Sequence, residues 1–502
     1  MVLTSREQGN TFASFHLFSK TQSLDASAAR FAQSAQFLTL DPVQLKKIMA
    51  KHPQAITLVL PYNSEEITVD LVQANIEAPG FSVLLNAGAD VPAGYPTGLH
   101  YRGVVRGTQQ SLAAISFFDQ EIMGVVSDES HNNLVLGKVQ QPDNLTGYMF
   151  YSDEELAMDN PFECAVLEPE EKTVENATIA ANQSNTKTLR LFLEATQAVY
   201  RNRGDVQATV NYLAGLFNQT AALYANEGIQ LTLSHLAVWV TPDPYSVAGN
   251  SGILEQFRRV RNTFDGDLAH LVGLSSTVSE SKANWNTLCK PEYAVAYSGI
   301  QIAFSHVPTF AWATEVMAHE IGHNLGARHT QWCGWPGGAI DHCQLPENGC
   351  PQSRESAAQN SGTIMNYCPM NSPMINFSQG FGPLPGNLIR NTVGHSPCVS
   401  APARVVPART KATTSLATEK SAVLQLAPNP ASRQVSVQLN LDTEQTIRID
   451  LLDLTGRPVL SQTATLKSGD VNLDLSGLAK GIYLVQVTGD GKPVMTKRLI
   501  KE

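Results

Sequence analysis

The segment His319-Glu320-Ile321-Gly322-His323-Asn324-Leu325-Gly326-Ala327-Arg328-His329 joins residue types that hold a metal to one that moves a proton. His319 and His323 stand four apart, so a helix projects both imidazoles from one face. Glu320 adjoins the first of them and can reach a metal-bound water without being a ligand. Gly326 can take a positive φ, which stops the helix and turns the chain. The turn lets His329 approach the same ion from another side. Three histidines on Zn²⁺ leave a fourth position for water, as in catalytic rather than structural sites. Thr314 to Ala318, just upstream, is apolar at helical spacing, as a buried active-site helix requires.

Other elements must position that helix. Leu189 to Val199 reads as a strand running into a helix, Asp205 to Asn226 as a long amphipathic helix, and Ile229 to Val240 as a second strand. Ser251 to Phe264 reads as another helix, Asp267 to Leu274 as a third strand, and Tyr293 to Gly299 as an edge strand before the metal-site helix. Strands alternating with helices imply a mostly parallel twisted sheet. An unpaired edge beside the metal can bind an extended peptide by strand addition.

Downstream, Thr363-Ile364-Met365-Asn366-Tyr367-Cys368 resembles the Met-turn beneath the zinc of metzincin proteases. With the extended zinc motif and the order of elements, the chain resembles the adamalysin/reprolysin family of that clan. The resemblance implies Zn²⁺ held by His319, His323 and His329, with Glu320 as catalytic base. Two positions depart from the family. Thr330 stands where the family places Asp, and Arg190 where it places a calcium-binding Glu. Asp267 fits another calcium-ligand position, so the residues argue both for and against a structural Ca²⁺. Tyr367 reads as a buried structural residue or as a group approaching the metal.

Seven cysteines occur, and Cys289, Cys333, Cys343, Cys350, Cys368 and Cys398 lie in or beside the zinc domain. Their clustering suggests disulfides and an oxidising compartment, with fifteen pairings open. Cys164 stands apart in Pro161-Phe162-Glu163-Cys164-Ala165-Val166, which resembles the family's P-K-M-C-G-V propeptide switch. His100 to Gly107 and Ser111 to Ser116 also resemble its prodomain, with strand-like alternation. The resemblance implies an inhibitory propeptide over residues 1–186 and Cys164 as zinc ligand in the latent form. The competing reading is a buried thiol. Residues 168–187 are poor in large apolar side chains and suit an activating cleavage.

After Cys398 the composition shifts. Residues 401–423 are rich in Ala, Pro, Thr and Arg and read as a linker between the catalytic domain, 187–400, and a β unit, 424–502. Val435 to Leu439, Ile447 to Leu451 and Ile482 to Val487 alternate with period two, with turn signals between. About seven short strands, as an Ig-like sandwich, are expected. Ala427-Pro428-Asn429-Pro430, Asp453 to Arg457, Leu475 to Tyr483 and Lys497-Arg498-Leu499-Ile500 resemble the C-terminal sorting domain of type IX secretion. The rival is a carbohydrate-binding or adhesive module.

The whole is thus an α+β multidomain chain: a β-rich propeptide, a metzincin α/β catalytic domain with a mixed twisted sheet, and a C-terminal β-sandwich. Its 502 residues exceed one domain, and 43% hydrophobic content supports real cores. Net charge of −10 without a basic cluster argues against nucleic acid. No 18-residue apolar run offers a membrane span. Met1 to Arg6 lacks an apolar signal segment, so a secreted form implies one outside this numbering. The expected activity is hydrolysis of internal peptide bonds by a zinc-activated water, with Glu320 as base. Expected partners are protein or peptide substrates and the type IX machinery. The expected location is the exterior or cell surface of a Gram-negative bacterium, reached through the periplasm. A surface adhesin or pseudoprotease with a structural zinc, or a zinc hydrolase of non-peptide substrates, are the alternatives.

Overall fold

The computed structural model describes residues 1–22, 35–86, 94–141, 143–155, 162–167, 187–245, 252–275, 279–301, 310–340, 345–347, 350, 362–366, 375–399, 423–452, 458–489 and 492–501. They form two compact units, Met1–Arg404 and Val405–Glu502.

The first unit begins with α1 (Val2–Glu7), β1 (Ala13–Phe15), β2 (Phe18–Lys20), β3 (Gln36–Leu40), α2 (Pro42–Lys51), β4 (Ala55–Tyr62), β5 (Glu65–Gln73) and β6 (Glu77–Leu85). It continues through β7 (Leu99–Val105), β8 (Ser111–Phe117), β9 (Ile122–Asp128), β10 (Asn132–Lys138), β11 (Gly147–Ser152) and β12 (Phe162–Leu167). Then follow β13 (Lys187–Ala195), α3 (Gln197–Arg203), α4 (Val206–Asn226), β14 (Ile229–Val238), α5 (Ile253–Val260), β15 (Leu268–Ser275), β16 (Ser279–Asn284), β17 (Val295–Gln301), α6 (Phe310–Asn324) and α7 (Pro383–His395).

Ten N-terminal strands form one sheet in the order β1-β4-β5-β7-β8-β9-β10-β11-β3-β2. Period-two alternation sends neighbouring residues to opposite faces, and here both faces are buried. Leu134, Leu136, Tyr148 and Phe150 enter a core inside the N-terminal region. Val125, Val135, Met149 and Tyr151 enter a second core, shared with α4 and α6.

The second sheet runs β12-β16-β17-β15-β13-β14-β6. Its pairs are parallel except β16 with β17, which is antiparallel. The sheet is therefore mixed. The strand near Tyr293 to Gly299 is not the edge. It is β17, lying between β15 and β16. The strand outside it, β16, is Ser-Glu-Ser-Lys-Ala-Asn, without an apolar alternation to announce it. Both outer strands come from the N-terminal region: β12 beside β16, and β6 beside β14.

Helix α4 is capped by Asp205, whose Oδ1 accepts from Ala208 N at 2.7 Å. An amphipathic helix was expected, with one face in water. Instead every residue from Thr209 to Tyr224 except Asn211 is buried, because the helix packs on β14 and also on β7, β8 and β9.

The second unit contains β18 (Val423–Ala427), β19 (Gln434–Leu452), β20 (Pro458–Asp474), β21 (Gly481–Gly489) and β22 (Lys492–Lys501). The described strands number five, not seven, and they are hydrogen-bonded into one sheet. The expected segments Val435–Leu439 and Ile447–Leu451 are one strand, β19, with a register shift against β20 between Asn440 and Gln445. Val435, Val437, Ile447, Ile449, Leu473, Val485 and Leu499 form the core.

Asp153 follows β11 in a buried position. Asn133 Nδ2 donates to its Oδ2 at 3.0 Å, and its Oδ1 has no hydrogen-bond partner. Burial pushes its carboxyl up to about 8, the Asn133 bond opposing and the Glu154 charge adding. Glu315 on α6 is pushed up to about 8 by burial and by the Asp153 charge. Both acids are thus protonated in the fold and ionised in the unfolded chain across roughly pH 4 to 8, so stability falls as pH rises through that window. Asp153→Asn should raise the Tm more at pH 8 than at pH 5. A gap that does not widen between those pH values would contradict this assignment.

Candidate metal centre

The metal-site helix α6 carries His319, Glu320 and His323, all fully buried. Helix α4 backs it: Tyr224 Oη donates to Ala318 O at 2.7 Å, and Thr314 Oγ1 donates to Gln219 Oε1 at 2.7 Å. At its C-terminus, orphan carbonyls are met by the loop after β16. Asn286 N donates to His323 O, and Thr287 N to Asn324 O, each at 2.9 Å. Asn324 Nδ2 reaches Asn284 O and Val295 O at 2.8 and 3.1 Å, tying the helix end to the sheet. Gly326 adopts φ +92°, and Ala327 N closes back on Gly322 O at 2.9 Å. The expected turn is present, and it carries His329 to its neighbours.

The three imidazoles converge. His323 Nε2 lies 3.0 Å from His319 Nε2 and 3.0 Å from His329 Nε2. The opposite nitrogens fix the tautomers. His319 Nδ1 donates to Ile364 O at 2.7 Å and His323 Nδ1 to Ala327 O at 2.9 Å. His329 Nδ1 pairs with Glu347 Oε1 at 2.5 Å. Burial above all holds His319 down to about 3 and His323 well below its ordinary value. These two rings are neutral, and each Nε2 offers a lone pair to a common point. Lone pairs crowded this closely repel, and a cation resolves the repulsion. A tetrahedral ion with bonds of about 2.0–2.1 Å spaces its ligands about 3.3 Å apart, close to what is seen. The donor set therefore fits Zn²⁺.

Cys164 supplies a fourth donor. Its Sγ and the three histidine nitrogens lie within 4.8 Å of one another. Strand β12 delivers it, pairing in parallel with β16 so that Cys164 stands opposite Ser281. The Cys164 thiol also stands beside the Glu320 carboxyl. Among the described residues no hydrogen bond of ordinary geometry reaches either Glu320 oxygen. Burial lifts that carboxyl well above its ordinary range, with the thiol pulling the other way.

Met365 is fully buried beneath the site. A Cβ on Gly322 would come within 2.7 Å of its Sδ, so the glycine lets the thioether approach between the two helical histidines. The Met365 carbonyl accepts from Thr330 N at 3.0 Å, fastening the segment after the third histidine. Tyr367, Cys343 and Cys368 lie outside the described residues. Ile375, Phe377 and Phe381 beyond them are buried. Two of the fifteen-pairing ambiguities are resolved: Cys289 bonds Cys398, and Cys333 bonds Cys350. At the position compared with calcium sites, Arg190 engages both acids. Its guanidinium meets Asp265 at 2.7 and 2.6 Å, and its N–H donates to Asp267 at 2.7 Å.

Glu347 was not anticipated. It lies in a cysteine-rich loop with no periodicity or motif to mark it, and only the fold brings it to His329. The backbone acceptors Ile364 O and Ala327 O are invisible in any sequence.

Comparison with known proteins bears on both ends of the chain. The family model for metallo-peptidase family M12, of reprolysin type, matches residues 185–378, and that for the secretion system C-terminal sorting domain matches residues 425–502. Rat disintegrin and metalloproteinase domain-containing protein 1 is 28% identical over 170 residues, which are 32% of this chain and 20% of the relative. Mouse protein 1a of the same name is 28% identical over 158 residues, 29% and 19% of the two chains. The chain thus spans about a fifth of the curated relatives it matches. Metalloproteinase-II from Bacteroides fragilis covers 67% of this chain and 92% of its own, at 14% identity and a TM-score of 0.38. Residues 185–378 thus belong to the reprolysin-like metallopeptidases of family M12, and residues 425–502 to the C-terminal sorting domains of type IX secretion.

Proposed function

We propose that the chain is a secreted zinc endopeptidase made as a latent zymogen. Residues 1–186 serve as propeptide, 187–400 as the catalytic domain, 401–423 as linker and 424–502 as an Ig-like sorting domain. The observation that carries this reading is the convergence of three Nε2 atoms beside the fully buried Glu320.

Zinc, when bound by His319, His323 and His329, supplies Lewis acidity to the scissile carbonyl and to water. Glu320 takes a proton from the attacking water and returns it to the leaving amine. Its apolar enclosure favours that exchange, since a buried carboxyl accepts a proton readily. Glu347, Ile364 O and Ala327 O hold the imidazoles in the tautomer that presents Nε2. An extended substrate lies along β16, using its outward N–H and C=O groups. In the latent form β12 takes that edge and Cys164 takes the fourth ligand position, so one segment blocks both substrate and water. The sorting domain directs the chain through the periplasm to the outside or surface of a Gram-negative cell. Among the described residues no helix is long and apolar enough to cross a membrane.

His319→Ala, His323→Ala and His329→Ala should each lose zinc in elemental analysis of the activated protein. Glu320→Ala should keep the metal and lose peptide hydrolysis by about 10²–10⁴-fold. Full zinc in all three histidine variants, or undiminished turnover in Glu320→Ala, would remove the assignment.

Deleting residues 424–502 should leave the zinc domain active after cell lysis, because the tail has a core of its own. In the native host the truncated chain should accumulate in the periplasm. Its normal appearance outside the cell would refute the sorting role.

A further inference from the structure

The zymogen reading treats residues 1–186 as one removable piece, but their packing divides them into two parts of different character. Strand β12 lies along an edge, held by β16 alone in the sheet. Residues before it share the core of the zinc domain. Phe37, Val83, Leu112, Phe118, Met123, Val125, Met149 and Tyr151 pack in one continuous cluster with Leu213, Phe217, Val316 and Ile321.

Helix α4 shows how deep that sharing goes. Its N-terminal-region face contains Gly215, where a Cβ would lie 2.4 Å from Met123 Sδ. Glycine inside a helix is unfavourable relative to alanine. Here the missing Cβ makes room for the Met123 thioether. One turn on, buried Asn218 accepts from Arg102 Nε at 2.9 Å, and its Nδ2 lies 3.2 Å from Ser116 Oγ. Near the site, Asn376 Nδ2 donates to Asp128 O at 2.9 Å and to Asn132 Oδ1 at 2.8 Å. Asn133 in turn bonds Ile375 O at 2.6 Å and Phe377 N at 2.9 Å. The segment so bound is the stretch that follows the Met-turn. On the far side, β6 continues the zinc-domain sheet by pairing with Val238, Ala237, Leu236 and His235 of β14. Without it the apolar strand β14 would be an open edge, a template for aggregation.

We infer that residues 1–155 are a lasting subunit of the active enzyme, and that activation removes only the β12 segment from the cleft. Resting on the zymogen reading, this makes the mature protease a complex of two fragments of one chain. The N-terminal fragment supplies half of the core around α4 and props the segment behind the Met-turn. Latency and folding are then separate duties of adjacent parts of the propeptide.

The test uses the full chain with sites for a specific protease inserted between residues 156 and 160 and between residues 175 and 180, so that cleavage cuts β12 free of both fragments. The protein is nicked, then passed through a sizing column without denaturant, and fractions are assayed for both fragments and for hydrolysis of a quenched peptide. The same nick is made in Glu320→Ala and in Cys164→Ala. The inference expects both fragments in one peak at one-to-one ratio in all three proteins, with hydrolysis in that peak for the unaltered chain and for Cys164→Ala. Separate elution of a zinc-domain fragment that hydrolyses peptide would overturn it, leaving the zymogen reading intact. So would a joint peak that hydrolyses only after the N-terminal fragment is digested away. Co-elution in every protein with hydrolysis in none would sink the peptidase reading while the association stood, since Glu320→Ala reports association without activity.

Discussion

Three imidazoles turn their Nε2 atoms into one small volume, and each is held there by a bond on its far nitrogen. The acceptors are Ile364 O, Ala327 O and the Glu347 carboxylate. Each comes from a different stretch of chain. The rest of the first unit is arranged so that these stretches meet. Gly326 turns the chain sharply enough to bring Ala327 O and His329 round together. Met365 carries Ile364 O beneath the helix, where Gly322 leaves room for the thioether. The loop after β16 caps the helix end and ties it to the sheet. A ring nitrogen that lost its acceptor would be left buried and unpaired, at a cost of about 1–3 kcal/mol.

The same geometry explains how the site can be kept silent. The fourth donor arrives on β12, in parallel register with β16, so its position is set by backbone hydrogen bonds rather than by a flexible loop. A thiol at that place faces both the imidazoles and Glu320. In the proposed zymogen, strand pairing and metal ligation would act on one segment and be undone together. The remainder of the N-terminal region is attached differently, through a shared apolar core around α4.

Much of this was legible from residues alone. The three histidines, Glu320 and the turning glycine are marked by type and spacing, Met365 and Cys164 by the family resemblance, and the structure brings all of them to one place. The strand and helix order from Leu189 to Leu274 was also readable, because each element has enough apolar residues to show its period. What escaped had no such signal. Strand β16 is polar and short, and only its backbone pairing makes it a strand; among its residues Ser281 and Ala283 are buried. Glu347 is one acid in a loop. The two-sided burial of α4 depends on a partner sheet distant in sequence, and a one-chain pattern sees only that the helix is apolar. In the tail, β19 reads as two strands because its alternation weakens between Asn440 and Gln445, where the register shifts.

The central claim is that one sulfur and three imidazole nitrogens share a zinc ion in the intact chain. X-ray absorption at the zinc edge of the full-length, zinc-loaded protein tests it most directly. The account predicts three nitrogen scatterers at about 2.0–2.1 Å and one sulfur at about 2.3 Å, with the sulfur lost and a light-atom donor gained in Cys164→Ala. A first shell of nitrogen and oxygen alone in the unaltered chain would contradict it.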